Sequence, residues 1–306
     1  MVYYGDFSIF ITTKDRLPEL KYTLNLLEPY LKKGVHLSVC DDGSVDGTYE
    51  YLQKFYPSAS IFRNEVSKGL IFSRNELLKQ VNTKYAISLD DDLNFLTQDP
   101  FRIIQSHFEK EKACAVASFR IFWSENQPST TISKDRPHRV RNYAGGAHAI
   151  RMQAWKKIPN YPAWFIFYGE EEFASYHFFK KGWEIHYLPQ VLTHHRVNNK
   201  ERKKNRDYTL RLRRSLRSGW YLYFLFLPWK EIPKKLSYSI WMQLKLKIAG
   251  GDLHSLAAMS LALKDVVQNF IKLLKNRSAL TQKQFNQYQQ LPPVKLYWKP
   301  TDEISN

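Results

Sequence analysis

The stretch Tyr85-Ala-Ile-Ser-Leu-Asp-Asp-Asp-Leu93 constrains this chain more than any other. Its first five residues are mostly apolar and read as a buried strand, and they run straight into Asp90, Asp91 and Asp92. Adjacent ionised carboxylates repel one another, and partial burial strengthens the repulsion. A cation makes such an arrangement favourable. Hard oxygen ligands suit Mg2+ or Mn2+, which in turn hold phosphate oxygens. Alternation along the strand sends Asp90 and Asp92 one way and Asp91 the other, toward a structural partner.

The segments before this stretch repeat its pattern. Phe7 to Thr13 is a β-branched and aromatic run, followed by a helix with Leu17, Leu20, Leu24, Leu27 and Leu31 near helical spacing and a stop at Gly34. Val35 to Cys40 is a second strand that also ends in acid, Asp41-Asp42, before a short helix to about Tyr56. Ser60 to Arg63 is a brief third strand, and Leu70 to Val81 a helix. This alternation implies right-handed crossovers and a parallel sheet, with ligands at the carboxyl ends of the strands. Thr12, Thr13 and Asp15, then Asp41 and Asp42, then Asp90 to Asp92 all fall on that rim. Neither a Gly-x-Gly-x-x-Gly turn nor a Walker loop follows the first strand, so phosphates are expected on a metal rather than in a nest of amides.

Four blocks now stand in order: Ile9-Phe-Ile-Thr-Thr-Lys-Asp-Arg16, Asp41-Asp-Gly-Ser-x-Asp-Gly-Thr48, Asn64-x4-Gly69-x4-Arg74-Asn75 and Leu89-Asp-Asp-Asp92. Together they resemble the nucleotide-sugar half of a family 2 glycosyltransferase, an α/β enzyme of the GT-A fold. The resemblance implies that Asp41 or Asp42 contacts the base or ribose, with Thr12 and Arg16 beside it. It implies that Lys68 and Arg74 face the donor, Arg74 at the diphosphate. Asp90 and Asp92 would be the family's DXD pair on Mn2+ or Mg2+, with Asp90 and Asp91 also near the nucleotide sugar. The resemblance extends to about residue 196.

The middle of the chain is expected to build the acceptor side. Asp99-Pro100 opens a helix to about Glu111, Ala113 to Phe122 is strand-like, and Asn126 to Asn142 reads as a loop. Tyr143 to Arg151 reads as a glycine-kinked strand where backbone approaches a ligand at Gly145 and Gly146. Phe165-Ile-Phe-Tyr-Gly-Glu-Glu-Glu172 delivers three glutamates to the start of a helix that closes at Gly182. A helix N-terminus stabilises carboxylates, but that does not account for the aromatic run before them. In the resemblance this block supplies the catalytic base, Glu171 or next Glu170, with Trp164 and Tyr168 on the acceptor side. Phe173 and His177 stand where the family more often has an acid and an arginine. Glu184 to Pro189 is a strand, and His194, or His195, falls where the family places a third metal ligand.

The remainder, 197–291, reads as a helical extension, with a loose tail at 292–306. The chain carries a formal charge of +17, and residues 196–250 hold 15 Lys/Arg against Glu201, Asp207 and Glu231. Asn198 to Arg206 reads as a basic linker. Trp220 to Leu227 is apolar and aromatic, well short of the ~20 residues that span a bilayer. Leu236, Ile240, Trp241, Leu244 and Ile248 share a helical face flanked by Lys245 and Lys247, and a helix follows near 252–275. Apolar faces rimmed by cations fit an anionic membrane surface, and a subdomain packed on the catalytic core is the competing reading. Cys40 and Cys114 sit in apolar runs without a disulfide or metal spacing, and the N-terminus lacks signal-peptide features, so a cytoplasmic, membrane-peripheral location is expected.

The expectation is a catalytic domain over 1–196, split near residue 92 into donor and acceptor halves. It transfers a sugar with inversion from a nucleotide-diphosphate sugar to a glycan or polyprenyl-linked glycan hydroxyl. A nucleic-acid-binding protein would also explain the charge, but no recognition motif supports it and no nucleic-acid partner is expected. A catalytically silent scaffold and a sugar nucleotidyltransferase are further alternatives. The latter class needs a glycine- and arginine-rich loop after the first strand, where this chain has Thr12-Thr-Lys-Asp-Arg16.

Overall fold

The computed structural model describes residues 2–197, 207–247 and 250–295. The first half alternates as its apolar periodicity dictates: β1 (Phe7–Thr13), α1 (Leu17–Leu31), β2 (His36–Asp41), α2 (Thr48–Phe55), β3 (Ser60–Arg63), α3 (Leu70–Gln80) and β4 (Tyr85–Leu89). Parallel pairing joins β3, β2, β1 and β4 in that spatial order, so the carboxyl ends of β1, β2 and β4 share one rim.

The sheet then becomes mixed. After β5 (Leu93–Phe95) and α4 (Pro100–Lys110) come β6 (Cys114–Trp123), β7 (His138–Val140), β8 (Ala147–Arg151), α5 (Met152–Trp155), α6 (Glu170–Lys180) and β9 (Glu184–His195). α4 starts where Asp99 accepts a hydrogen bond from the Arg102 amide and Pro100 presets the first turn. β8 runs antiparallel between β4 and β6, which brings its first residue, Ala147, opposite Leu89 at the end of β4. β9 lies parallel to β6 and carries β5 on its other side, with Leu93 opposite His195. The expected 126–142 loop contains β7, which pairs with β9. The strand expected over Glu184 to Pro189 runs on to His195, because β9 continues through a register shift against β6.

Alternation divides the sheet's side chains between two cores. Ile9, Ile11, Val39, Ile87 and Ala117 pack with α1 and α4 on one face. Phe10, Cys40, Ala86, Val116 and Ile150 pack on the other. The second core runs without a break into α7 (Tyr208–Phe226), where Trp220, Tyr221, Leu225 and Phe226 are buried. α8 (Ile232–Leu246), α9 (Leu253–Gln268), α10 (Phe270–Lys275) and α11 (Gln282–Gln290) complete this helical layer. The single helix expected near 252–275 is divided at Asn269. The polar run 282–290 forms a helix because Thr281 and Gln284 make a reciprocal capping box. Part of the expected loose tail is docked: Val294 is buried and its amide donates to Asn142 Oδ1 at 3.0 Å. The basic linker 198–206, Ile248 and residues 296–306 lie outside the described residues. No described helix is long and apolar enough to cross a membrane.

Candidate active site

A cleft of roughly 690 Å3 opens over the shared rim. Thr12, Lys14 and Arg16 enter it from the end of β1, Asp90, Asp91 and Asp92 from the end of β4, and His195 from the end of β9. One ligand atom from each of Asp90, Asp92 and His195 lies within 4.8 Å of the others. His195 stacks on Trp123 with ring centroids 4.8 Å apart, which fixes the imidazole. Its Nε2 lies 2.8 Å from Asp92 Oδ1 and 4.0 Å from Asp90 Oδ2. Asp92 Oδ1 is buried without an aligned hydrogen-bond donor despite that short approach. A buried carboxylate oxygen of this kind, converging with a second carboxylate and an imidazole, fits a divalent cation.

His194 does not take part. It faces the opposite side of β9, where its Nε2 sits 2.7 Å from the Ser124 carbonyl oxygen. The period of two in β9 brings His195, the alternative to His194, together with Asp90 and Asp92 and turns His194 away from them. Asp91 behaves as strand alternation requires. Its carboxylate accepts from Thr13 Oγ1 at 2.8 Å and meets Arg16 at 3.4 Å, so it lies against its neighbours rather than at the cation position. Arg16 also reaches Asp92 at 2.6 Å, so it lines the cleft tied to the carboxylate that His195 approaches. The guanidinium and the His195 contact hold the Asp92 carboxyl far below its ordinary range, against the cost of burial.

Arg74 is also reassigned. It is buried and donates to Glu170 at 2.8 Å, Glu171 at 3.4 Å, Asp90 at 3.1 Å and the Gly145 carbonyl at 3.1 Å. It therefore sits behind the carboxylates rather than facing a diphosphate. The first turn of α6 fans its acids apart. Glu170 is buried against Arg74, and burial with the neighbouring Glu171 charge pushes its carboxyl up to about 8. Glu171 keeps 20% of its side chain exposed and is the member of the pair that solvent reaches. The glycines expected to approach a ligand make room for carboxylates instead. A Cβ on Gly145 would lie 1.6 Å from Glu171 Oε1, and one on Gly146 would lie 2.8 Å from Asp90 Oδ2.

Asp41 and Asp42, alternatives for contact with the base or ribose, stand in different surroundings. Asp41 is fully buried, with Oδ1 accepting from the Ser44 amide at 2.9 Å and Oδ2 4.0 Å from Arg63 Nε without a hydrogen bond. Asp42 lines the cleft, but its two oxygens accept from Asn64, Ser67, Ser73 and the amides of Lys68 and Gly69. Those bonds keep its carboxyl low and commit it to shaping the 64–69 loop. Lys68 and Thr12 line the cleft as expected. Trp164 does not. It packs on Phe165 and Tyr221, with Lys272 over its ring. Tyr168 packs edge-on against Phe167 and is not part of the cleft lining, whereas Ile166 and Phe167 are. Asp207 and Arg214 enter the cleft from the helical extension. Nothing local in their sequence marks them as site residues, because only the packing of α7 brings them there.

The model of the family "Glycosyl transferase family 2" matches residues 8–179. Among solved structures, GalNAc-T7 with UDP, GalNAc and Mn2+ is similar at 15% identity and TM-score 0.58, over 87% of this chain and 57% of that one. This chain thus spans little more than half of that transferase. The mannosyltransferase PcManGT from Pyrobaculum calidifontis, in complex with GDP-Man and Mn2+, is similar at 13% identity and TM-score 0.54, over 87% and 75% of the two chains. S. aureus TarS 1-349 is similar at 13% identity and TM-score 0.51, over 89% and 83%. No curated protein sequence matches. The family match covers more than half of the chain, and the sheet order and rim are those of the GT-A fold: the chain belongs to glycosyl transferase family 2.

Proposed function

We propose that this protein transfers a sugar, with inversion, from a nucleotide-diphosphate sugar to a hydroxyl of a glycan or lipid-linked glycan. The observation that carries the reading is the convergence of Asp90, Asp92 and His195 in the cleft, with Glu171 joined to Asp90 through Arg74. Mn2+ or Mg2+ would be held by those three residues and would supply neutralisation of the departing diphosphate. Imidazole in the set favours Mn2+.

The chain's own groups do the rest. Glu171 accepts the acceptor hydroxyl proton as that oxygen bonds to the anomeric carbon. The bond from that carbon to the diphosphate oxygen breaks, and its electron pair leaves with the nucleotide. One displacement needs no protein nucleophile. Arg74 holds Glu170, Glu171 and Asp90 in one array, so the base is positioned relative to the cation site. Lys14, Lys68 and Arg214 put positive charge on the cleft wall for the donor phosphates. In the 15-residue α8 only Ile232 is buried, while Tyr238, Trp241, Leu244 and Leu246 are exposed beside Lys234, Lys235 and Lys245. That face supports an acceptor at an anionic membrane surface.

A panel of nucleotide sugars scored by thermal shift with and without Mn2+ tests the donor reading. One donor should stabilise the chain only with metal, and product NMR should show inverted configuration. Retention of configuration, or donor binding indifferent to metal, would overturn the mechanism. Sedimentation with anionic vesicles tests the membrane surface: Trp241→Ser with Tyr238→Ser should weaken pelleting, and undiminished pelleting would remove that part.

A further inference from the structure

A second group of metal-ligating side chains lies at the opposite end of the sheet. His107 is in the last turn of α4, Cys114 is the first residue of β6, and His186 is near the start of β9. The parallel β6–β9 pairing puts the starts of the two strands side by side, and the Cys114 amide closes the connection from α4 by donating to the Glu111 carbonyl at 3.0 Å. His107 Nε2 lies 3.0 Å from His186 Nδ1, and with Cys114 Sγ these atoms are within 4.8 Å of one another. The nine residues separating His186 from His195 along β9 correspond to about 30 Å of strand, so this is not the cleft.

We propose that His107, Cys114 and His186 form a binding site for a borderline divalent metal, Zn2+ by its chemistry, separate from the cation of the cleft. The donor set is the first reason. Two imidazoles and a thiolate suit Zn2+ and are poor company for Mg2+. Distance is the second. Tetrahedral zinc with ordinary bond lengths separates two imidazole nitrogens by about 3.3 Å and sulfur from nitrogen by about 3.6 Å. The histidine pair, at 3.0 Å, is about 0.3 Å inside that spacing, and Cys114 Sγ needs to close by about 1.2 Å at most.

The surroundings are the third reason. His186 Nε2 is 2.9 Å from Glu184 Oε2, and Arg139 holds the other Glu184 oxygen at 2.9 Å. A carboxylate that takes the Nε2 hydrogen leaves the Nδ1 lone pair facing the gap, the outer arrangement that orients metal-bound histidines. Cys114 and His186 are buried while His107 is half-buried, so an ion has an entry route past His107. Arg151 Nε donates to the Cys114 carbonyl at 2.8 Å, and the Cys114 thiol donates to the Val116 carbonyl at 3.3 Å, so the metal itself must displace the thiol proton. On binding, the thiol proton leaves to solvent, the His107 proton moves to Nδ1, and water completes the fourth position. Without metal, the same groups form a closed hydrogen-bond chain from His107 through His186 to Glu184.

Cobalt(II) titration of the EDTA-treated full chain separates the two. The expected result is that one equivalent of cobalt, beyond any taken up by the cleft carboxylates, gives a sulfur-to-cobalt charge-transfer band with visible ligand-field bands, and that Zn2+ bleaches the charge-transfer band. Cys114→Ser should lose the charge-transfer band, Cys40→Ser and His195→Ala should keep it, and Glu184→Gln should weaken binding about 10–100-fold. His107→Ala, at a half-buried position, gives a second loss variant if Cys114→Ser fails to fold. No thiolate band in the wild-type chain, or a band that survives Cys114→Ser or His107→Ala, would overturn the proposal.

Discussion

Gly145→Ala separates the geometry of the base from the binding of the donor. Gly145 needs no positive φ, so alanine fits its backbone. The added Cβ would stand 1.6 Å from Glu171 Oε1, 2.7 Å from its Cδ and 3.2 Å from Arg74 Nη1. Ordinary contact begins near 3.4 Å, so the Glu171 carboxylate must retreat by about 2 Å while Arg74, pinned by Glu170 and Asp90, stays. Glu171 is partly exposed and can swing outward, so the cost in stability is small, about 1–2 kcal/mol. The cost in rate is larger. A catalytic group misplaced by ~1 Å loses about 100-fold, so kcat should fall by at least about that factor. On the proposed mechanism donor binding rests on Asp90, Asp92 and His195 rather than on Glu171, so it should stay within about threefold. Steady-state kinetics with a thermal-shift measurement of donor binding reads both. A variant with wild-type kcat would refute the placement of Glu171 as base, and one that loses donor binding and turnover together would refute the separation of the two roles.

Other outcomes follow from the same contacts. His195→Ala should abolish the Mn2+-dependent shift in donor affinity, while His194→Ala should keep it and lose only the Ser124 contact, about 1–2 kcal/mol of stability by chemical denaturation; the reverse pattern would restore His194 as the ligand. Arg214→Ala should raise the donor KM about tenfold or more with kcat little changed, since a cation on the cleft wall binds donor and transition state alike; an unchanged KM would remove α7 from the donor site. Glu170 has its carboxyl raised from 4.5 to about 8, so the folded chain retains a proton that the unfolded chain releases, and stability should fall as pH rises between those values. Glu170→Gln should flatten that decline in denaturant titrations across pH, and an unchanged slope would show that the proton resides elsewhere.

Much of the first half of the sheet was legible because its signals are local. Strand period, leucine spacing and glycine turns are carried by neighbouring residues, and β1, α1 and β4 form where those patterns lie. The acidic rim was legible for the same reason, since acids after parallel strands must share one edge. The choice between His194 and His195 depends on which way β9 enters its pairing with β5 and β6, a register that β9's own residues do not reveal. Arg74 misled because a cation beside a phosphate site and a cation beneath three carboxylates look alike in sequence. The separation lies in burial, which tertiary packing alone determines.

The helical extension is less an appendage than a support for the reacting groups. Ile166 and Tyr168 adopt positive φ of 70°, a conformation costing about 1–3 kcal/mol for each such residue, immediately before Glu170 and Glu171. α7 holds that bend in place: Arg217 donates to the Phe165 carbonyl, Ser218 Oγ to the Phe167 carbonyl at 3.3 Å, and Tyr221 packs on Trp164 and Phe165. α7 is in turn fastened to α9 by the paired bonds from Arg213 to Asp265 at 2.7 and 2.6 Å. With α7 gone, the bend keeps only its own turn bonds and the long contact from the Ile71 amide to the Ile166 carbonyl at 3.5 Å, and the glutamates should lose their alignment with Arg74. A chain ending after Arg196 should therefore lose turnover on water-soluble acceptors, not only attachment to lipid. Asp265→Ala tests the same coupling in a full-length chain. It leaves Arg213 unpaired and Arg217 without its nearby carboxylate, 3.9 Å away, so it should lower Tm and reduce kcat together, with vesicle binding unaltered. Full turnover in a destabilised Asp265→Ala chain would mean that the bend keeps its shape without help from the extension.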